Sequence, residues 1–139
     1  MGLKTTIDKV KTLVAGDTTF AGVYLGDQMA YSKYPVACVG APPLLDENFP
    51  VIASMLVRDE LHTVEIVIYV AYADTEANTA ELLTLTDTLR TNLRADLDLT
   101  GYAFMGDGTG IQTSKFLLGS KGKQLLRYSV TSVAYRIRI

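Results

Sequence analysis

Tryptophan is absent from this 139-residue chain, and cysteine and histidine occur once each, as Cys38 and His62. One cysteine cannot close an intramolecular disulfide, and one Cys with one His cannot supply the four ligands of a structural zinc site. Long hydrophobic runs are missing too. None reaches the roughly 20 residues that cross a bilayer as a helix, and Met1-Gly2-Leu3-Lys4-Thr5-Thr6 has no apolar segment of signal-peptide type behind its lysine. A soluble, unexported protein with no membrane partner is expected. Acidic residues are absent from residues 111 to 139, which hold Lys115, Lys121, Lys123, Arg127, Arg136 and Arg138 for a balance of +6. Residues 1 to 110 hold all 15 acids and seven bases, a balance of −8. Such segregation suits a basic segment that docks on an acidic surface of its own or a neighbouring subunit, more than it suits a nucleic-acid groove. With 48% hydrophobic and 20% charged residues, disorder is excluded, and a chain of this length buries roughly two-thirds of its unfolded surface. Residues 1–139 read as one domain.

Leu3, Ile7, Val10 and Val14 recur at four, three and four residues, which predicts an amphipathic helix from Leu3 to Ala15 stopped at Gly16. Short extended pieces follow at Phe20 to Leu25 and at Tyr34 to Gly40, the second entered through Pro35, as at a strand start or sheet edge. From Ala41 to Glu60 three prolines and four acids interrupt an otherwise apolar stretch, reading as a loop that buries itself against a partner or as a loop with a short helix or strand around Val51 to Val57. Leu61 to Asp74 then alternates as a strand of about 43 Å at 3.3 Å per residue. A globule of this size is only about 37 Å across, so the strand crosses the whole domain or projects from it. Glu76 to Leu97 carries a leucine stripe, Leu82, Leu85, Leu89, Leu93 and Leu97, and predicts a long helix ended by Thr100-Gly101. A short strand at Tyr102 to Met105, a turn at Gly106 to Gly110 and an extended Ile111 to Leu118 lead to a second glycine-rich turn, Gly119 to Lys123. Gln124 to Ile139 is the last long strand. In it Tyr128 and Val130 oppose the parity of Val133, Tyr135, Ile137 and Ile139, so a bulge is expected near Thr131. The fold class is α+β: a mostly antiparallel sheet with two amphipathic helices packed on one face and a long C-terminal β-hairpin.

Catalytic patterns are not met. Ser32 and Ser54 lie in no Gly-x-Ser-x-Gly elbow that would use His62 as base, and Cys38 between Ala37 and Val39 reads as a small buried hydrophobe. Gly119-Ser120-Lys121-Gly122-Lys123-Gln124 misses the Walker pattern at Leu117 and at Gln124. Gly106-Asp107-Gly108-Thr109-Gly110 opens no helix, and the pairs Asp46-Glu47, Asp59-Glu60 and Asp96/Asp98 read as solvated charge. Phe116, Tyr128 and Tyr135 interleave with the C-terminal bases, but Tyr135 faces the core and no DNA-reading helix pattern is present. An interaction protein remains, with no catalytic residue, cofactor or metal expected.

The start Leu3-Lys4-Thr5-Thr6-Ile7-Asp8-Lys9-Val10, the Tyr34-Pro35-Val36 strand entry, the strand Thr63 to Ala73, the leucine-rich helix Thr79 to Leu97 and the closing strand Tyr128 to Ile139 together resemble the tail terminator and neck (tail completion) proteins of long-tailed bacteriophages. The resemblance implies a small α+β subunit of the virion that forms a homohexameric ring at the head-proximal end of the tail tube. The ring would cap the tube protein, stop its polymerisation and join the head connector or neck protein, with genomic DNA passing through the hole without sequence-specific binding. Assembly in the host cytoplasm is implied. Ala41 to Glu60 and the hairpin Phe116 to Arg127 are the segments expected at subunit or tube interfaces, with Lys115, Lys121, Lys123 and Arg127 meeting Asp46, Glu47, Asp59 and Glu60, and with Phe49 beside them. Reversing Lys121 and Lys123 to Glu should then weaken assembly and leave the monomer folded. A head-tail adaptor of the same particle, a small-ligand-binding or enzymatic α+β domain, and a nucleic-acid-binding module are the competing readings.

Overall fold

The computed structural model describes residues 2–16, 19–28, 31–41, 59–102, 105–106, 111–114, 116–121 and 124–138. Among these, two helices and seven strands follow in the order α1 (Leu3–Ala15), β1 (Gly22–Leu25), β2 (Val36–Gly40), β3 (Asp59–Ala71), α2 (Thr75–Ala95), β4 (Met105–Gly106), β5 (Gln112–Thr113), β6 (Leu117–Lys121) and β7 (Gln124–Arg138). The chain is α+β, and the sheet is antiparallel except where β1 runs parallel to β2. Strand order is β1-β2-β3-β7, and β4, β5 and β6 follow one another along the far side of β7.

β3 and β7 pair without interruption from Asp59↔Arg138 to Ala71↔Leu126. No bulge interrupts β7 near Thr131, contrary to the parity expectation. The two parities of β7 serve two different faces. Odd positions Val133, Tyr135 and Ile137 join Val64, Ile66, Ile68 and Val70 of β3, Ala37 and Val39 of β2, Ile7, Val10 and Val14 of α1, and Leu82, Leu85, Leu89 and Leu93 of α2 in one buried cluster. Even positions Leu126 and Tyr128 join Tyr31, Val36, Cys38 and Tyr69 in a second cluster on the opposite face. Continuing the odd face toward the hairpin gives Thr131, Ser129 and Arg127, all polar, and this is why the apolar pattern changes parity without any change in the backbone. The register irregularity falls on the outer line instead: Thr113 lies opposite Thr131 but Leu117 opposite Tyr128, so four steps there answer three on β7.

Of the turn expected at Gly119 to Lys123, Gly119 to Lys121 are strand, and Gly122 and Lys123 lie outside the described residues. Gly119 pairs with Leu126, and Lys121 sits opposite Gln124. A Cβ on Gly119 would come within 2.9 Å of the Tyr128 ring; the missing side chain leaves room for that ring against β6.

Each helix starts and stops for a local reason. Gly2 O accepts from Thr5 N and Thr6 N at the head of α1, and α1 ends at Gly16. Asp74 caps α2, its carboxylate accepting from Ala77 N at 2.9 Å, with Glu76 in the first turn. α2 ends at Ala95, two residues before Leu97, because Asp96 captures Thr100 through both N–H (2.7 Å) and hydroxyl (2.8 Å), while Leu99, Thr100 and Gly101 turn through positive φ. Asn78 is wholly buried and ties α2 to the sheet: its amide donates to Ala71 O (2.9 Å), and its oxygen accepts from Ala73 N (2.8 Å) and Arg127 Nε (3.0 Å).

Residues 42–58, 107–110 and Ile139 lie outside the described residues, so all but the first residue of the turn expected at Gly106 to Gly110 falls there, as do the expectations for Asp46, Glu47 and Phe49.

Replacing Asn78 by Ala strands three polar groups at once, two of them backbone and one the Arg127 guanidinium. The expected loss in urea unfolding is about 2–3 kcal/mol, whereas Leu83→Ala, at a position 52% exposed, should change stability by less than about 0.5 kcal/mol.

Candidate assembly surface

Two of the bases expected at an interface, Lys121 and Arg127, lie on the β6–β7 hairpin. Both are engaged within the chain. Lys121 Nζ donates to Asp27 Oδ2 at 2.6 Å and lies 5.3 Å from the centroid of the Tyr69 ring. Arg127 donates from Nε to Asn78 and from Nη2 to Thr75 Oγ1 (3.1 Å), and its guanidinium stands 5.5 Å from the Tyr72 ring centroid. The partners shown for Arg127 are uncharged, whereas Lys121 is neutralised by Asp27. Asp59 and Glu60 lie on β3 opposite Arg138 and Ile137, at the end of the ladder remote from the hairpin. Lys115 and Lys123 lie outside the described residues. The arrangement alters the expectation for charge reversal: a Glu at position 121 would face the Asp27 carboxylate of its own chain and disturb the monomer as well as any assembly.

Asp27 is the hub of a polar network that the sequence did not single out. It accepts from the hydroxyls of Tyr31 (2.9 Å) and Tyr69 (2.8 Å) in addition to Lys121. The Tyr31 oxygen also lies 2.7 Å from Cys38 Sγ and accepts from Gln28 N at 2.8 Å. Tyr34 OH donates to Gln124 Oε1 at 2.7 Å. Rings of Tyr24, Tyr31, Tyr69 and Tyr128 follow one another at centroid separations of 5.2, 5.7 and 5.6 Å. The residues flanking the tip of the hairpin, Lys121 and Gln124, are thus both fastened to the segment between β1 and β2. Its only sequence signal was an unusual density of tyrosine near one aspartate, spread over 97 positions between Asp27 and Gln124, too dispersed for any spacing rule.

Burial pushes the Asp27 carboxyl up, but the bonds from Lys121, Tyr69 and Tyr31 outweigh it and hold the group below its ordinary value of 3.8. Burial raises the hydroxyls of Tyr31 and Tyr69, reinforced by hydrogen bonds to Cys38 and Asp27 in the first case and to Asp27 in the second. Burial likewise raises the Cys38 thiol, which is 3% exposed, so it sits as the small buried group the sequence suggested, unreactive as a thiolate. His62 is 6% exposed with Nδ1 at 2.6 Å from Thr6 Oγ1, which makes it a tie between β3 and α1.

No family model and no curated protein matches the chain. The reading of its surface therefore rests on its own geometry. Among the described residues no group of three or more His, Cys, Asp or Glu could hold a metal ion, and no helix is long and apolar enough to cross a membrane. A depression of about 390 Å³ lies between the end of α1 and the 96–100 turn, lined by Lys9, Thr12, Leu13, Gly16, Asp96, Leu99 and Thr100. The large exposed apolar side chains lie elsewhere: Tyr24 and Leu25 on β1, Leu117 and Leu118 on β6, Leu125 on β7, Tyr72 after β3 and Leu83 on α2.

The folded-state pKa of Asp27 lies below its unfolded value near 3.8. Its ionised form therefore stabilises the fold above that pH, and the contribution is lost as pH falls through the depressed value. Asp27→Asn should cost up to about 1 kcal/mol at pH 7, the pair being partly exposed. The gap from wild type should close in urea titrations as pH falls through the depressed carboxyl value; a gap independent of pH would remove Asp27 from the role of hub.

Proposed function

We propose that the chain is a virion structural protein, the ring-forming tail terminator of a long-tailed bacteriophage. The observation that carries the reading is the hairpin: it is held firmly to the body by Lys121–Asp27, Tyr34–Gln124 and Arg127–Asn78, yet leaves Leu117, Leu118 and Leu125 between 39% and 59% exposed. Leu117 shares the face of Tyr128, and Leu118 and Leu125 share the opposite one with Arg127; apolar side chains held in fixed positions suit an assembly contact, because ordering costs little on binding. They lie in the segment with six bases and no acid, and the rest of the chain has an excess of acids, which suits copies meeting head to tail.

In this reading the sheet is a two-layer unit. Both helices cover one face, the tyrosine cluster lies on the other, and the long β3–β7 ladder gives each subunit a stiff spine. Six copies close a ring at the head-proximal end of the tail. One ring face repeats the contacts of the tube protein and the other does not, so growth of the tube stops there, and the free face joins the head connector or neck protein. Genomic DNA passes through the central hole without base-specific contacts. The work is geometric and no catalytic step is involved.

Native mass spectrometry over a wide concentration range, with negative-stain microscopy of the same samples, tests the reading. A sixfold species seen as a closed ring with a central hole is expected. A chain that forms no closed ring at any concentration overturns it.

A further inference from the structure

The sheet has two outer edges, and among the described residues no further strand covers either. β1 lies at one end of the strand order, and the line β4-β5-β6 lies at the other. Soluble monomers usually protect such edges with charge, proline or a covering element, because a row of unpaired N–H and C=O groups templates further pairing. β1 reads Gly-Val-Tyr-Leu and carries no charge; Tyr24 and Leu25 on it are 36% and 47% exposed. β6 reads Leu-Leu-Gly-Ser-Lys, with Leu117 and Leu118 at 39% and 59%. Its only charge is Lys121, and that ammonium turns inward to Asp27 and the Tyr69 ring. Among the described residues β1 pairs only with β2, and β6 only with β7.

We infer that these two edges are the complementary halves of one subunit contact: β6 of one copy pairs with β1 of the next, continuing the sheet from copy to copy. The occupant is a second copy of this chain. The match of the two edges to each other favours that choice. The lengths agree, four residues in β1 against five in β6. Strand directions agree as well. β1 is parallel to β2, and the pairs β2–β3, β3–β7 and β7–β6 are each antiparallel, so β1 and β6 run in opposite directions. Rotation about an axis along the strands preserves those directions, and β6 therefore meets the neighbouring β1 as an antiparallel pair. Two different surfaces meeting in this way form a heterologous contact, which closes into a ring or runs on as a filament. The inference rests on the ring reading only for closure; the edge contact itself stands on the exposed strands.

Two single substitutions separate the halves: Leu118→Lys on β6 and Leu25→Lys on β1. Both positions are exposed, so each variant should keep the wild-type circular dichroism and unfolding midpoint. By native mass spectrometry each alone should be monomeric at concentrations where the wild type assembles, because every copy has lost one half of the contact. Mixed one to one, the variants restore a single intact β6–β1 pair and should give a heterodimer that grows no further. Assembly of either variant alone as in the wild type, or a mixture without heterodimer, overturns the edge pairing; if the wild type still forms closed rings in those cases, the terminator reading stands. A wild type that builds open filaments or dimers sensitive to both substitutions keeps the edge pairing and removes the terminator. A wild type monomeric at all concentrations overturns both.

Discussion

Because β3 and β7 pair residue for residue over the whole of β3, the placement of every other element is decided by which side of that ladder it covers. Alternation along a strand sends successive side chains to opposite faces, and a slip of one residue would exchange the faces entirely. Here both faces are partly apolar. Val64, Ile66, Ile68 and Val70 point toward the helices, while Val67 and Tyr69 belong to the opposite cluster. Register is therefore specified twice, once by each cluster, and a shifted pairing would lose both. β2 and the broken outer line then attach to the two sides of this spine.

Burial alone would not fix the helices and the connecting segments at particular points along it. Two polar joints do so. Asn78 receives the turn between β3 and α2 and the guanidinium of Arg127 in one buried amide. Asp27 receives two tyrosine hydroxyls and the ammonium of Lys121. Buried or half-buried polar groups are costly when unpaired. Each joint therefore acts as a positional key: a small displacement of the helix or of the hairpin leaves several groups unsatisfied together. The hairpin is held at its tip as well as at its base, which explains how exposed leucines sit on a surface of defined shape.

The local elements were legible because their signals are local. The spacing of Leu3, Ile7, Val10 and Val14 gives α1 its observed bounds, and the leucine stripe gives α2 to within two residues at its C-terminal end, where the Asp96–Thr100 capture competes with a further half-turn of helix. The alternation after Leu61 identified β3 without revealing that it begins at Asp59. β7 was read as broken because a change of apolar parity normally means a change of register. In this strand it means that one face turns polar at Thr131, Ser129 and Arg127 just where the other becomes apolar at Leu126 and Tyr128. The turn expected at Gly119 to Lys123 does not begin at Gly119 for a related reason: there the glycine provides room for the Tyr128 ring, and the strand runs on to Lys121. At the candidate surface, Lys121 and Arg127 were visible as charges. Their partners Asp27, Asn78, Thr75 and Tyr72 were not, since contacts across 49 to 94 residues leave no periodic trace.

The distribution of charge along the chain acquires a different meaning once these partners are in place. A basic C-terminal segment suggests at first a set of free cations for a neighbour's acids. Yet Lys121 is already neutralised, and the guanidinium of Arg127 is held by uncharged acceptors and an aromatic ring. Short-range ion pairing between copies is then a small part of any contact in which the hairpin takes part. Exposed ion pairs are worth little in any case. Among the described residues β6 pairs only with β7, so in the proposed contact the hairpin contributes exposed leucines and strand backbone, through burial and strand pairing, the stronger terms. The residual field of the segment remains, and in that contact its natural effect is on approach and orientation. Charge then affects how the proposed surfaces meet, and the strand edges determine whether they stay together.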